Sequence, residues 1–393
     1  MSKHTLVVAR LCLFVGILIF ISACSYIPWF GGEEDVVIDA RIPTELTDVP
    51  QEVIIQKNWE ISIGGDTLEE YVRMNPHIFS EKIAFAEPSG KVAVFNIADG
   101  GNIWTSDLDV KISGGIGGNR EVLVIGTLDG EVIGLQVEDG GIIWELEAGS
   151  EVVAISRVSG DVVVTRLNDN RLLGIDLASG EKLWTVPQSP PALTLRGANI
   201  PIIPSDMVYA GMDNGKVLAV STSGNQVWEA RVSVPSGRNE LQRLVDVDGQ
   251  MSADQSRVYA ASYHGRVVAI NKTDGSIAWA RDIPSAVGVT IDDNLVYVSD
   301  RDDNVWALEK DSGVSVWKQD GLLYRSVSTP VIQDNVVMVG DFEGYIHVLS
   351  KEDGRFLGRT RLGKNPIYSS DVGSSNVSYI SDTQGRLVSI TIQ

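Results

Sequence analysis

The chain has 393 residues, a formal net charge of −20, 21% charged residues, four His and two Cys. A surface this acidic repels phosphate backbones, which excludes nucleic acid as a partner class. The cysteines are Cys12 and Cys24, so the body of the chain beyond them can form neither a disulfide nor a cysteine-ligated metal site.

Residues 1–23 have the layout of a targeting segment. Lys3 and Arg10 give a positive start, and Leu11–Ile21 is an apolar stretch of 11 residues, shorter than the ~20 a spanning helix needs. The run Ile21-Ser22-Ala23-Cys24 resembles the bacterial lipoprotein cleavage box. That resemblance implies that Cys24 is acylated and becomes the first mature residue. More than one acyl chain on one residue anchors a protein stably. Ser25, where Asp would favour inner-membrane retention in that pattern, implies the outer membrane. Residues 24–52 carry Gly31, Gly32, Pro43 and Pro50 with Glu33, Glu34, Asp35 and Asp39. They are expected to form a flexible acidic tether.

From residue 53 onward one short pattern recurs. An alternating apolar strand is followed by a Gly-containing turn and an outer strand that ends in Trp. The copies are Asp99-Gly100…Trp104, Asp139-Gly140…Trp144, Ser179-Gly180…Trp184, Ser223-Gly224…Trp228, Asp274-Gly275…Trp279 and Ser312-Gly313…Trp317. A further copy, Asp353-Gly354…Gly358, has lost its Trp. A period of ~40–45 residues is the size of one four-stranded propeller blade. The strands before these turns outnumber the turns by one, because the last, Gly385–Ile392, runs into the C-terminus. Near the start, Trp59 lies in an outer strand with no third strand before it. Pairing Trp59 with the C-terminal strand closes a ring and leaves few exposed edges. The expectation is therefore an all-β, eight-bladed propeller of four-stranded antiparallel blades over residues 53–393.

Within the repeat that starts at Ser326, residues Ser326–Ile332 are predicted as the inner strand, Val336–Val339 as the second and Tyr345–Leu349 as the third. Helix is expected only in an insertion near Gly237–Leu244. Trp59, Trp104, Trp144, Trp184, Trp228, Trp279 and Trp317 are structural candidates: each indole packs on the neighbouring blade and donates its N–H to a backbone carbonyl.

Catalytic patterns are scarce. His77, His264 and His347 lie in different repeats without metal-ligand spacing. Asp246-Val247-Asp248-Gly249 hints at a calcium loop, but Arg257 stands where the bidentate Glu would be needed. The acidic turn Asp300–Asn304 lacks the Gly of such a loop. There is no Gly-x-Ser-x-Gly motif, P-loop or haem-attachment motif. The Asp-Gly-x3-Trp ladder resembles the blade motif of the pyrroloquinoline-quinone dehydrogenases, which implies eight blades. The adjacent cysteines and acidic ligand cluster of those enzymes are missing. The expectation is no catalytic residue, no metal and no cofactor.

Function is expected where the repeat is broken. One deviation is Pro187–Gly197, with Leu193 and Leu195 alternating before Arg196. The other is Ser233–Gln250, which stretches the Trp228-to-Trp279 step to 51 residues and contains Asp246 and Asp248. Apolar anchors flanked by Arg and acidic residues suit protein docking; alternatively Leu193 and Leu195 form the inner strand of the fourth blade.

The lipoprotein box, acidic tether, closing Trp59 and these two loops together resemble the BamB family, lipoprotein subunits of the bacterial β-barrel assembly machinery. The resemblance covers nearly the whole chain. It implies a non-enzymatic scaffold on the periplasmic face of the outer membrane, binding the periplasmic POTRA region of BamA and other subunits, and assisting folding and insertion of β-barrel proteins whose unfolded chains it meets. It also implies that Leu193 and Leu195 are anchors, that Arg196 is a charged clamp, and that Asp246 and Asp248 orient it or pair across the interface. The competing readings are a periplasmic quinoprotein oxidoreductase and a polysaccharide-binding propeller.

Overall fold

A computed structural model describes residues 41–64, 74–195, 197, 199–372 and 377–393. Cys24, Arg196 and the expected leader lie outside the described residues.

The alternation of β-branched and small residues folds into eight antiparallel sheets. The first blade comprises His77–Phe79, Lys82–Ala86, Lys91–Asn96 and Asn102–Asp107. Blades two to seven follow in chain order. The eighth joins Ile367–Val372, Val377–Asp382 and Arg386–Ile392 to Ile55–Ser62 from the other end of the chain. There Trp59 pairs with Ser389, so the ring closes as the Trp59 pattern requires. In the fourth blade the inner strand is reduced to a bridge between Ile202 and Tyr209, beside Met207–Gly211, Lys216–Ser221 and Gln226–Arg231. The seventh inner strand is Val331–Gln333, shorter than the expected Ser326–Ile332. Pro330 precedes it without having to donate to the ladder. Among the described residues the one helical element is the 3-10 turn Leu241–Arg243, inside the expected insertion.

The apolar core lies between blades. Tyr259, Val267 and Trp279 of the fifth blade, for example, pack with Val296 and Leu308 of the sixth. The indoles interlock the ring. Trp104 Nε1 donates to the Val137 carbonyl of the next blade at 2.8 Å, and Trp144 Nε1 to that of Leu177 at 2.9 Å. Trp59, Trp184, Trp228, Trp279 and Trp317 do the same to Ile97, Thr222, Lys272, Lys310 and Lys351. The turn glycine of the receiving blade lies flat on that indole. Gly140, at φ +76°, would place a β-carbon 2.8 Å from Trp104, so both its backbone conformation and its missing side chain are required.

A β-bulge precedes each Trp. In the first blade Val94 pairs with Trp104 and Phe95 with Asn102, leaving Ile103 as the extra residue. Ile143, Leu183, Val227, Ala278 and Val316 occupy the same place in the next five blades. The bulge rephases the strand: it turns the indole toward the neighbouring blade and throws the preceding residue outward, where Ile103, Leu183 and Val227 are exposed.

The seventh blade has Gly358 in place of Trp, and the segment before the closing strand covers that spot. Glu52 N donates to Leu357 O at 2.7 Å, and Ile54 exchanges backbone hydrogen bonds with Gln393. Further back, Thr44 N donates to Leu323 O at 2.9 Å, Arg325 donates to the Thr44 carbonyl and Arg359 to that of Thr47. Residues 44–52, expected as part of the tether, are thus hydrogen-bonded to blades six and seven.

Candidate functional site

In an antiparallel four-stranded blade, the connection to the next blade and the turn between the second and third strands emerge at the same end. The two irregular loops therefore share one face of the ring with those turns.

The first loop is held at three points. At its start, buried Asn170 donates to the Ser189 carbonyl at 3.1 Å. In its middle, Leu195 N donates to Asp246 Oδ2 at 2.6 Å. At its end, Asn199, fully buried, donates to the Gly249 carbonyl at 2.6 Å and accepts from Gly211 N at 2.8 Å. Gly197 packs directly against the Asp248 side chain, leaving no room for a β-carbon. The two loops thus form one unit although some 50 residues separate them in the chain.

Within this unit Leu193 is 40% exposed, while Leu195 is half-buried. Neither belongs to a strand. The alternative that they form the inner strand of the fourth blade is therefore overturned, because Ile202 takes that position.

Asp246 and Asp248 face inward. Asp246 is 1% exposed, and the Asp248 side chain 7%. Beneath them lies Arg166, from the strand Val162–Leu167, itself 1% exposed. Its guanidinium pairs with Asp213 and with Asp248 at 3.3 Å. From the sequence these acids are expected to orient Arg196 or pair across an interface; within the ring an internal cation engages Asp248, because a carboxylate so far from water needs a countercharge. Burial, and next the charge of Asp248, push the Asp246 carboxyl up to about 6, against the stabilising hydrogen bond from Leu195.

Asp213, Asp246 and Asp248 offer carboxylate oxygens within 4.8 Å of one another. Arg166 among them supplies the positive charge a metal ion would bring, so the group is explained without one. Asp300 accepts from Asn304 and, at 2.7 Å, from Trp306 Nε1. Asp303 accepts from Ser326 N and Val327 N. The acidic turn of the sixth blade is thus engaged by its own surroundings. His77 is buried in the first blade and pushed down to about 4 by burial and by Arg157. His347 lies in the seventh, 3.0 Å from Asp341 and 2.9 Å from Arg359 Nε. His264 lies in the fifth, so the three do not converge.

Arg166, Asp213 and Asn199 were not singled out from the sequence. The available signal was a charged residue following Val162-Val163-Val164-Thr165 in a strand otherwise small or apolar.

Comparisons with known proteins agree with this architecture. Residues 88–319 match the family model described as outer membrane protein assembly factor BamB. A protein of that name from Pseudomonas aeruginosa is 45% identical over 352 residues, covering 89% of this chain and 93% of the relative. The crystal structure of BamB from Moraxella catarrhalis superposes with a TM-score of 0.78 at 26% identity, covering 86% of this chain and all of that one. A quinohemoprotein alcohol dehydrogenase from Comamonas testosteroni shares the fold alone, with a TM-score of 0.68 at 11% identity, over 87% of this chain and 76% of that one. With a family match over more than half its length and a relative at 45% identity over nearly all of it, the chain belongs to the BamB family of outer membrane protein assembly factors.

Proposed function

We propose that this protein is a non-enzymatic scaffold, anchored to the periplasmic face of the outer membrane by acyl chains on Cys24. It docks the POTRA region of BamA, alongside other subunits of the machinery, and so assists folding and insertion of β-barrel proteins. The observation that carries this reading is the fusion of two repeat-breaking loops into one hydrogen-bonded unit with Leu193 exposed at its tip. Such a unit is preorganised, and binding it costs little further ordering. Leu193 and Leu195 act as apolar anchors. Asp246 Oδ1 and Asp248 Oδ2 are buried without a hydrogen-bond partner among the described residues. They offer acceptors to Arg196, the residue after Leu195, which would hold the clamp in the docking face.

The test is retention of a BamA-like partner from outer-membrane extracts on immobilised wild type, Leu195→Ala and Arg196→Ala. Both variants should lose most of the retained partner while keeping the wild-type melting temperature within a few degrees. Equal retention by all three would overturn the site, and absence of the partner from the wild type would overturn the function. Cys24→Ser should yield a folded ring in the soluble periplasmic fraction; its recovery with the outer membrane would overturn lipid anchoring.

A further inference from the structure

Residues 44–52 form a strap along the outer edge of the seventh blade. It starts at the connection between blades six and seven, where Thr44 N donates to Leu323 O at 2.9 Å, on the face that carries the two loops. It ends at the opposite end of the blade, where Glu52 N donates to Leu357 O at 2.7 Å and the Glu52 carboxylate pairs with Arg355 at 2.6 Å. Between these points Leu46 packs on the cluster that holds Trp317, Leu322 and Val339.

Two arginines grip carbonyls of the strap. Arg325 Nη1 donates to Thr44 O at 2.9 Å, and Arg359 Nη1 to Thr47 O at 2.8 Å. Both guanidinium groups belong to one hydrogen-bonded chain that runs through His347. Arg325 Nε donates to Asp341 Oδ2 at 2.9 Å, the same oxygen lies 3.0 Å from His347 Nε2, and Arg359 Nε donates to His347 Nδ1 at 2.9 Å. Register places His347 directly opposite Arg359 on the neighbouring strand. Arg325, Asp341 and His347 are all buried.

This chain fixes the tautomer. A guanidinium N–H can only donate, so Nδ1 is the bare, accepting nitrogen and Nε2 carries the proton that points at Asp341. The imidazole is therefore neutral. A second proton would sit on Nδ1 and face the Arg359 N–H, setting donor against donor and cation against cation. Moving Arg359 relieves that clash, and Arg359 is what holds Thr47. The groups around the ring come from every neighbouring element. Asp341 lies in the turn before the His347 strand. Arg359 and Phe356 come from the outer strand, Tyr345 from the strand of His347 itself, and Asp48 from the strap, where its charge acts on Arg359. Arg325, paired also with Glu343, comes from the interblade connection. Burial is the largest influence on His347 and lowers its pKa; Asp341 opposes it, and the charges of Arg359 and Arg325 add to the lowering. The strapped state thus resists the proton, and a state in which water reaches the imidazole takes it up more readily. Acidification favours that second state.

We propose that the strap is a pH-operated latch: protonation of His347 at Nδ1 displaces Arg359, lets go of Thr47 and opens residues 45–51 away from the ring, while Glu52 and the Trp59 strand stay in place. Opening bares the outer strand of the seventh blade between Leu357 and Arg361. The latch is independent of what the two loops bind.

The test measures the distance between spin labels at Thr47→Cys and Lys364→Cys in the full-length protein, both positions being exposed in a ring that has no thiol of its own. A narrow distribution is expected at pH 7. The ratio of opened to strapped molecules should rise by about tenfold between pH 7 and pH 5. In His347→Gln the amide oxygen can accept from Arg359 while its N–H donates to Asp341, and nothing titrates; this variant should stay strapped at both pH values. Arg359→Met should be open at both. Asp303, pushed up to about 6 by burial and bonded to the Ser326 and Val327 backbone beside Arg325, titrates in the same window, so Asp303→Asn serves as the control and should open as the wild type does. A wild type that stays strapped at pH 5 overturns the latch. So does opening of His347→Gln to the wild-type extent, or loss of opening in Asp303→Asn. Nitrogen-15 NMR of the wild-type imidazoles gives a reading free of substitution at 347: Nδ1 of His347 should protonate with the midpoint at which the strap opens, and a different midpoint overturns the proposal.

Discussion

Val53 lies against Gly358, its Cγ2 2.9 Å from where a β-carbon on that glycine would stand. Every other blade has a Trp at the position of Gly358, and here a residue from the opposite end of the chain fills the gap. Glu52 and Ile54 fix the backbone on either side. Ring closure therefore involves two seams: the Trp59 strand on the C-terminal strand, and the Val53 segment on the seventh blade. Val53→Ala should cost about 1 kcal/mol, the value of two half-buried methyl groups. Urea unfolding checks this. Limited proteolysis should at the same time show faster cleavage within residues 41–54.

The Trp ladder supports a graded prediction. Trp144 is 8% exposed and donates to Leu177. Trp144→Ala should cost roughly 3–5 kcal/mol. Trp144→Phe keeps most of the packing but leaves the Leu177 carbonyl unpaired, at a cost of about 1–2 kcal/mol. Trp184 is half-buried, so its Ala variant should lose less than that of Trp144. Thermal or denaturant melts of the three variants would show the order, and equal losses at 144 and 184 would contradict it.

Asp246 makes stability depend on pH in a defined window. Its pKa is raised in the fold to about 6 by burial and by Asp248, above the ordinary carboxyl value of about 4. A raised acid binds its proton more tightly in the folded state. Its favourable contribution is complete below about pH 4 and disappears as pH rises through about 6. Wild type should therefore lose stability relative to Asp246→Asn across that interval, and the difference should be flat above pH 7. Melting temperatures of the two proteins from pH 4 to 8 measure this; parallel curves would show that the carboxyl is not raised.

Much of this architecture was legible in the sequence. The blade count, the closing partner of Trp59 and the indole N–H to carbonyl bond follow from a repeated Gly-x3-Trp spacing, because one local pattern acts in each copy. The 3-10 turn was expected where Gly237–Leu244 breaks the period. The bulge before each Trp was not visible, since Ile103 and Leu183 look like ordinary members of an alternating strand. Residues 44–52, just ahead of the Val53 seam, were read as tether because the partners of Thr44 and Glu52, Leu323 and Leu357, lie some 300 residues away and share no repeat with them. The pairing of Leu193–Leu195 with Asp246 and Asp248 was anticipated as one patch, but the internal cation on Asp248 was not. That cation, Arg166, is 82 residues away and sits in a strand whose neighbours suggested only core.

Arg166 connects the interior of the ring to its docking face. Its countercharge holds Asp248, and Asp248 packs on Gly197, next to the segment that presents Leu193 and Leu195. Arg166→Met removes the cation and leaves Asp213 and Asp248, at 5% and 7% side-chain exposure, as buried carboxylates. Breaking such a pair from one side costs about 3–5 kcal/mol. Asp248→Asn on the same background should recover part of the deficit at neutral pH, because it removes one of the two unpaired buried charges. Where the variant remains folded, partner retention should also fall, because the Gly197 side of the loop has lost its support. A variant with wild-type stability at pH 7, or a deficit that Asp248→Asn does not reduce, would show that Arg166 does not neutralise this cluster.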